Sequence, residues 1–138
     1  MKWLDLVENP QAISSIYNHA PSLEQLEIMS VKLDREGPTV ELTLALREFP
    51  TPSPKRWPLE ANAVTVHLQL MGVQSLEILG WSTTNTAAVE LERTDAGAIR
   101  VKAVGSTTKL VATCGFVRIS QIAPYRKATT ATRAEVNG

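Results

Sequence analysis

From Ile28 onward the apolar positions of the chain recur at every second residue. Met29, Val31 and Leu33 alternate with Ile28, Ser30 and Lys32; after Asp34-Arg35-Glu36-Gly37, the residues Val40, Leu42, Leu44 and Leu46 alternate with Glu41, Thr43, Ala45 and Arg47. Such alternation marks strands with one buried face, and it predicts a hairpin. A loop of even length sets Val31 opposite Val40 and Met29 opposite Leu42, so that the apolar side chains share a face. Val64, Val66, Leu68 and Leu70 predict a third one-sided strand, and Leu76, Ile78 and Trp81 a shorter fourth. A second hairpin runs through Val89 and Leu91, turns at Asp95-Ala96-Gly97 and returns through Ile99, Val101 and Ala103. Gly97 suits the left-handed position of a three-residue loop, which places Glu92 opposite Arg100 and Glu90 opposite Lys102. Leu110 to Ile119 is apolar on both parities over part of its length, the pattern of a central strand.

Two segments depart from this period. Asn9-Pro10 reads as a helix start, with Asn as the cap and Pro where a missing N–H costs nothing. Ala12, Ile13, Ile16 and Tyr17 then give one apolar face over two turns, ending at Asn18 and Ala20-Pro21. Between Phe49 and Pro58 stand four prolines in nine residues, Pro50, Pro52, Pro54 and Pro58. They can neither continue a helix nor donate to a ladder, which predicts a stiff, extended crossing fastened to the core by Phe49 and Trp57. The predicted fold is therefore mainly β, α+β at the margin. About seven antiparallel strands form a curved sheet or a two-layer sandwich, and one short N-terminal helix closes an end. Residues 1–125 read as a single globular domain. The Ala-, Thr- and charge-rich residues 126–138 read as a flexible tail.

Composition narrows the class without naming a chemistry. The 138 residues are 43% apolar and 20% charged, as in an ordinary globular protein of one domain. No apolar stretch approaches the ~20 residues of a membrane helix, and the first residues lack the apolar core of a secretory signal, so the expected location is the cytoplasm. The single cysteine, Cys114, excludes an internal disulfide and a multi-cysteine metal cluster; its apolar surroundings suggest a small buried hydrophobe. Fourteen basic residues balance fourteen acidic ones, so no global field draws the chain to nucleic acid. The distribution is uneven: residues 1–48 hold eight acidic residues against four basic ones, while Arg118, Arg126, Lys127 and Arg133 face only Glu135 in the last stretch.

A search for reactive groups finds little. The seven glycines match neither dinucleotide nor phosphate-loop spacing, and no serine sits in a nucleophile elbow. His19 and His67 are the only imidazoles, and neither has a carboxylate or second His at ligand spacing. His67 lies on the third strand with opposite parity to its apolar set, so it faces outward or lies beside a second layer. Lys55-Arg56-Trp57 is the nearest approach to a basic–aromatic nucleic-acid motif, and Trp57 reads as a core anchor instead, as do Trp3 and Trp81. No cofactor or metal is expected.

Several landmarks in order resemble the immunity protein 50 family of bacterial polymorphic toxin systems. They are Trp3, the Asn9-Pro10 helix with Ile16-Tyr17, Pro21-Ser22-Leu23-Glu24, Gly37, Phe49-Pro50 through Pro54-Lys55-Arg56-Trp57, Asn62 and Gly80-Trp81. The resemblance spans residues 3–122 and consists of turn formers and core aromatics, so it bears on the fold more than on the surface. It implies a non-enzymatic protein, made in the cytoplasm beside a toxin, that binds the toxin's catalytic domain and neutralises it by stoichiometric inhibition. It carries over no contact residue, and the balanced charge and short apolar stretches lead us to expect no nucleic-acid and no membrane partner. An acidic patch suits the basic substrate groove of a nuclease-type toxin. Glu24, Asp34, Glu36, Glu41 and Glu48 are the expected partner-binding residues. Asp34 and Glu36 fall in the first turn, Glu41 points outward, and Glu48 lies near a strand end. Two further readings stay open. One is a small-molecule binder with a pocket between sheets near Trp57 or Trp81; the other is a hydrolase using His67 and a carboxylate.

Overall fold

The computed structural model describes residues 3–127. Eight strands run in the order β1 (Leu26–Asp34), β2 (Thr39–Leu46), β3 (Ala63–Met71), β4 (Ser75–Leu79), β5 (Thr86–Arg93), β6 (Ile99–Val104), β7 (Lys109–Cys114) and β8 (Phe116–Tyr125). All their pairings are antiparallel, in one open sheet of order β4-β7-β6-β5-β1-β2-β3-β8. A 3-10 turn (Trp3–Leu6) and a single helical turn, α1 (Gln11–Ser14), precede the strands. No helix among the described residues is long and apolar enough to cross a membrane.

The expected seventh strand is two strands. Gly115 divides the apolar run, and the halves go to different parts of the sheet. β7 lies between β4 and β6, and β8 forms one end of the sheet beside β3. β7 is thus flanked on both sides, as expected of a central strand, whereas β8 is an edge strand. The double-parity pattern arises because the division changes which parity is buried, from Leu110, Ala112 and Cys114 to Val117 and Ile119. The β3–β8 ladder ends at Met71 opposite Phe116, and the β4–β7 ladder begins at Ser75 opposite Thr113. Gly115 N–H donates to Met71 O across the join at 2.9 Å, and Gln74 N–H donates to Thr113 O at 2.7 Å. One long two-stranded ribbon thus bends at Gly72 to Gln74 and Gly115 and carries the sheet from one half into the other. The halves meet again where β1 pairs β5 over only two positions, Leu26 with Ala87 and Glu27 with Thr86. Leu42, Leu44, Val66 and Leu68 from one half share a single apolar cluster with Val101, Leu110 and Ala112 from the other. The sheet has curled so that its apolar faces bury each other.

The first hairpin forms with its four-residue loop, but its register is shifted by two from the expected one. Val31 faces Leu42 and Leu33 faces Val40. A bulge between Ile28 and Ser30 then reverses the parity of the strand, so Leu26 and Ile28 enter the core and Met29 stands half exposed. The extra residue lets one strand serve β2 at its far end and the core at its near end. The second hairpin has the expected register, with Glu90 opposite Lys102 and Glu92 opposite Arg100. Gly97 has φ of 88°, and Thr94 N–H donates to Ala98 O at 2.8 Å across the three-residue loop.

The proline segment does not cross between distant strands. β2 and β3 are immediate neighbours paired from Thr39–Met71 to Leu46–Val64, and residues 47–62 form a long loop between them. Phe49 and Trp57 meet with ring centroids 5.8 Å apart at 60°, and buried Trp57 ties the loop to the core. The prolines govern the loop's conformation; the strands on either side decide its destination.

Asn9 does not cap a helix either. Pro10 occupies the cap position with no side-chain hydrogen bond, and α1 is one turn long. The Asn9 amide lies against β8: its Oδ1 accepts from Ile119 N–H and its Nδ2 donates to Ile119 O, both at 2.8 Å. Glu8 N–H also donates to Val117 O at 2.8 Å. This clasp satisfies main-chain groups on the outer side of an edge strand. Ile13 and Tyr17 pack into the core beside it, and the Tyr17 hydroxyl donates to Glu48 O at 2.7 Å. The tail expected over residues 126–138 lies outside the described residues except for Arg126 and Lys127. Lys127 exchanges two hydrogen bonds with the Asn62 side chain.

Candidate interaction surface

The fold distributes the five acidic residues of interest over two ends and the middle of one sheet half. Glu24 and Glu48 lie where β1 begins and β2 ends, and Asp34 and Glu36 lie at the opposite hairpin tip. β1 alone separates these ends by roughly 30 Å at 3.3 Å per residue. At the first end, Glu48 Oε1 pairs with His19 Nε2 at 3.0 Å and its Oε2 accepts from Ser22 N–H at 3.2 Å. Ser22 Oγ in turn accepts from Glu24 N–H at 3.1 Å, so Glu24 and Glu48 belong to one bonded segment. At the tip, Asp34 Oδ1 accepts from Glu36 N–H at 2.9 Å and closes the turn, while the Glu36 carboxylate makes a loose 3.8 Å pair with Arg35.

Glu41 stands between, on the outer face of β2, with other polar groups around it. Its Oε2 accepts from Ser120 Oγ at 2.7 Å, and its Oε1 lies 3.9 Å from His67 Nδ1. Thr43 Oγ1 is 3.4 Å from the same nitrogen. Ser120 reaches Glu41 because a bulge in β8 lets two residues of β8 oppose one of β3 near His67. The three side chains have the residue types of a hydrolytic centre in an order unsuited to it. The serine proton is directed to the carboxylate, so the imidazole is not placed to take it. The group works as a polar clasp that joins three strands on the outer face.

Next to Glu48, the small side chains Ala45 and Ala63 leave a surface hollow of about 360 Å³. Glu27, Arg47, Tyr125 and Lys127 rim it, and Arg47 Nη1 donates to Gln25 Oε1 at 3.0 Å. Burial, with the nearby Glu27 carboxylate, raises the Tyr125 phenol above its usual range. Tyr17 is raised by burial and by Glu48. Cys114 is fully buried, and burial pushes its thiol up to about 11, against a smaller opposing effect from the Phe116 backbone. A thiol so placed is a core side chain and a poor nucleophile. No group of three or more His, Cys, Asp or Glu among the described residues could hold a metal ion.

Trp81 is not a core anchor: it is 45% exposed, two residues past β4. Gly80 turns the chain there with φ of 69°, at a place where a β-carbon would collide with the Thr107 carbonyl. Buried Asn85 fixes the turn through Ser82 N–H and O, each at 2.8 Å, and through Thr108 Oγ1 at 3.0 Å. Leu79 and Val104, also about half exposed, flank Lys109 in one outer row of the sheet, so this rim is more apolar than alternation alone suggests.

A family model described as Immunity protein 50 matches residues 9–125, from the Asn9 clasp to the last residue of β8. No curated protein matches the chain, and no solved structure does.

Proposed function

The chain belongs to the immunity protein 50 family, and from that membership we propose that it binds the catalytic domain of a cognate toxin in the cytoplasm and blocks it stoichiometrically. The observation that supports action by surface contact is the filled interior. Side chains from both sheet halves occupy the space between them in one apolar cluster, and Trp57 is packed against Phe49 beneath its loop. The hollow described above lies on the outside. The acidic residues Glu24 and Glu48 at one end, and Asp34 and Glu36 at the other, offer two places where a basic toxin groove could be met and its substrate excluded.

The test is to seek a toxin domain in the gene neighbouring that of this chain, co-express the two, isolate the complex and measure its stoichiometry. Rescue of growth and a one-to-one complex are the expected results. Charge reversal at Glu24 with Glu48, and separately at Asp34 with Glu36, locates the contact, because surface pairs such as His19–Glu48 contribute at most about 1 kcal/mol to folding. An association rate that survives both double reversals would remove these four residues from the interface. Failure to rescue and to bind would remove the inhibitor reading itself.

A further inference from the structure

The two ends of the sheet are treated differently. β8 is closed by Asn9 and Glu8, which bond to Val117 and Ile119 from the outside. β4, at the other end, pairs with β7 alone among the described residues. Which of its main-chain groups are free follows from the ladder. Thr113 O accepts from Gln74 N–H, and Gly105 N–H donates to Thr108 O on the opposite side of β7. Antiparallel pairs alternate in hydrogen bonding, so Lys109, Val111 and Thr113 direct their main chain to β4. Their partners Leu79, Glu77 and Ser75 are thereby satisfied. The N–H and C=O groups of Leu76 and Ile78 point away from β7 and have no partner among the described residues.

A hollow of about 610 Å³ adjoins this edge, between it and the tip of the first hairpin, where Val73 N–H bonds Pro38 O at 3.0 Å. Leu33, Val40, Val73 and Leu76 give it an apolar lining, and Leu33 is 62% exposed. Asp34 stands at its rim with Glu36 beside it, and Glu77 is exposed on the outer face of β4. Unlike Glu90 and Glu92, Glu77 has no cross-strand cation, because Val111 faces it and separates it from Lys102.

We propose that the free edge of β4 receives an extended strand of the toxin, hydrogen-bonded to Leu76 and Ile78, with alternate residues apolar, basic, apolar. This deepens the inhibitor reading and rests on it. Unsatisfied N–H and C=O groups in a strand edge are matched by another strand. The apolar residues would follow Leu76 and Ile78 over the hollow, and the basic one would oppose Glu77. A second copy of this chain fits poorly. Antiparallel self-pairing that uses Leu76 and Ile78 over the whole strand sets Glu77 against its own symmetry mate, in the pair type where side chains approach most closely.

Site-resolved amide exchange on the full chain, alone and saturated with the neighbouring toxin domain, tests this. In the free protein Leu76 and Ile78 should exchange fast and Glu77 and Leu79 slowly. Toxin should slow Leu76 and Ile78 by at least about tenfold. Glu77→Lys should weaken association by about fivefold to tenfold, while Glu92→Lys on the paired face leaves it unchanged. A complex that forms without slowing these two amides would overturn the edge contact and leave toxin binding intact. Protection that rises with the chain's own concentration, without toxin, would assign the edge to self-association and overturn the proposal. Absence of both complex and rescue would overturn it together with the inhibitor reading.

Discussion

Replacing Asn9 separates two roles that an Asn before Pro10 can have. As a helix cap it would tolerate Asp, since the two residues cap about equally well. As the clasp on β8 it must both accept and donate, because Ile119 presents N–H and O to the same amide at 2.8 Å. Asn9→Ala leaves two main-chain groups of a buried residue (Ile119 is 3% exposed) without protein partners. Each such bond contributes about 1 kcal/mol net, and an unsatisfied buried group costs about 1–3 kcal/mol. Asn9 is half-buried, so water reaches the vacated position in part, and the expected loss is about 2–3 kcal/mol. At roughly 4 °C per kcal/mol for a domain of this size, Tm should fall by about 8–12 °C. Asn9→Asp keeps the bond from Ile119 N–H and turns a carboxylate oxygen toward Ile119 O, so it should be no more stable than Asn9→Ala. Urea unfolding of the three proteins gives the free energies, and exchange at the Ile119 amide reports the edge directly. An Asp variant as stable as the parent, with an Ala variant within about 0.5 kcal/mol of it, would refute the clasp.

Three other expectations follow from the packing. Gly80→Ala combines a positive φ with collision against the Thr107 carbonyl and should cost about 2–4 kcal/mol; Gly97→Ala, at φ 88° with nothing within 4 Å, should cost about 1 kcal/mol. Equal urea midpoints for the two variants would show that the contact at Gly80 yields. Trp57→Ala, which removes the buried anchor of the 47–62 loop, should lose about 3–5 kcal/mol, read as a lowered urea midpoint. With its thiol held up to about 11, Cys114 stays protonated in the fold while the unfolded thiol ionises near its ordinary value of 9.0. The unfolded state therefore binds fewer protons between these values and stability falls as pH rises through them. Cys114→Ala should flatten that part of the stability–pH curve, and alkylation of the parent at neutral pH should proceed only as fast as the protein unfolds.

The parts of this fold legible in the chain are those specified by neighbours in sequence. The β5–β6 hairpin has its register because alternation and the Asp95-Ala96-Gly97 turn agree over a few residues. The first hairpin slips by two because an even shift preserves the parity of Val31 and Leu33. Alternation is blind to such a shift, and the bulge at Met29 answers to β5 and the core, not to the turn. Gly115 divides a run whose two halves look alike locally and differ only in which distant strand they meet. Trp81 has the composition of an anchor, yet Gly80 and Asn85 turn it outward through bonds to Thr108, more than twenty residues away. The same limit applies to the surface. The Glu48–His19 pair and the Glu41–Ser120 bond join residues 29 and 79 positions apart. Spacing along the chain could list these side chains but could not put them together.

The ribbon of β3, β4, β7 and β8 has a consequence for synthesis. β3 finds its outer neighbour in residues 116–125, and the N-terminal segment rests against the same strand. On a ribosome, the early hairpin can form while both of those surfaces wait for a polypeptide not yet made, and long-range closure of this kind is slow compared with local pairing. A nascent chain stopped short of Phe116 would carry a bare strand edge and an unoccupied Asn9. The fold therefore closes only after translation has passed Tyr125, and an interrupted synthesis would yield fragments with sticky, unpaired backbone in place of a smaller working domain.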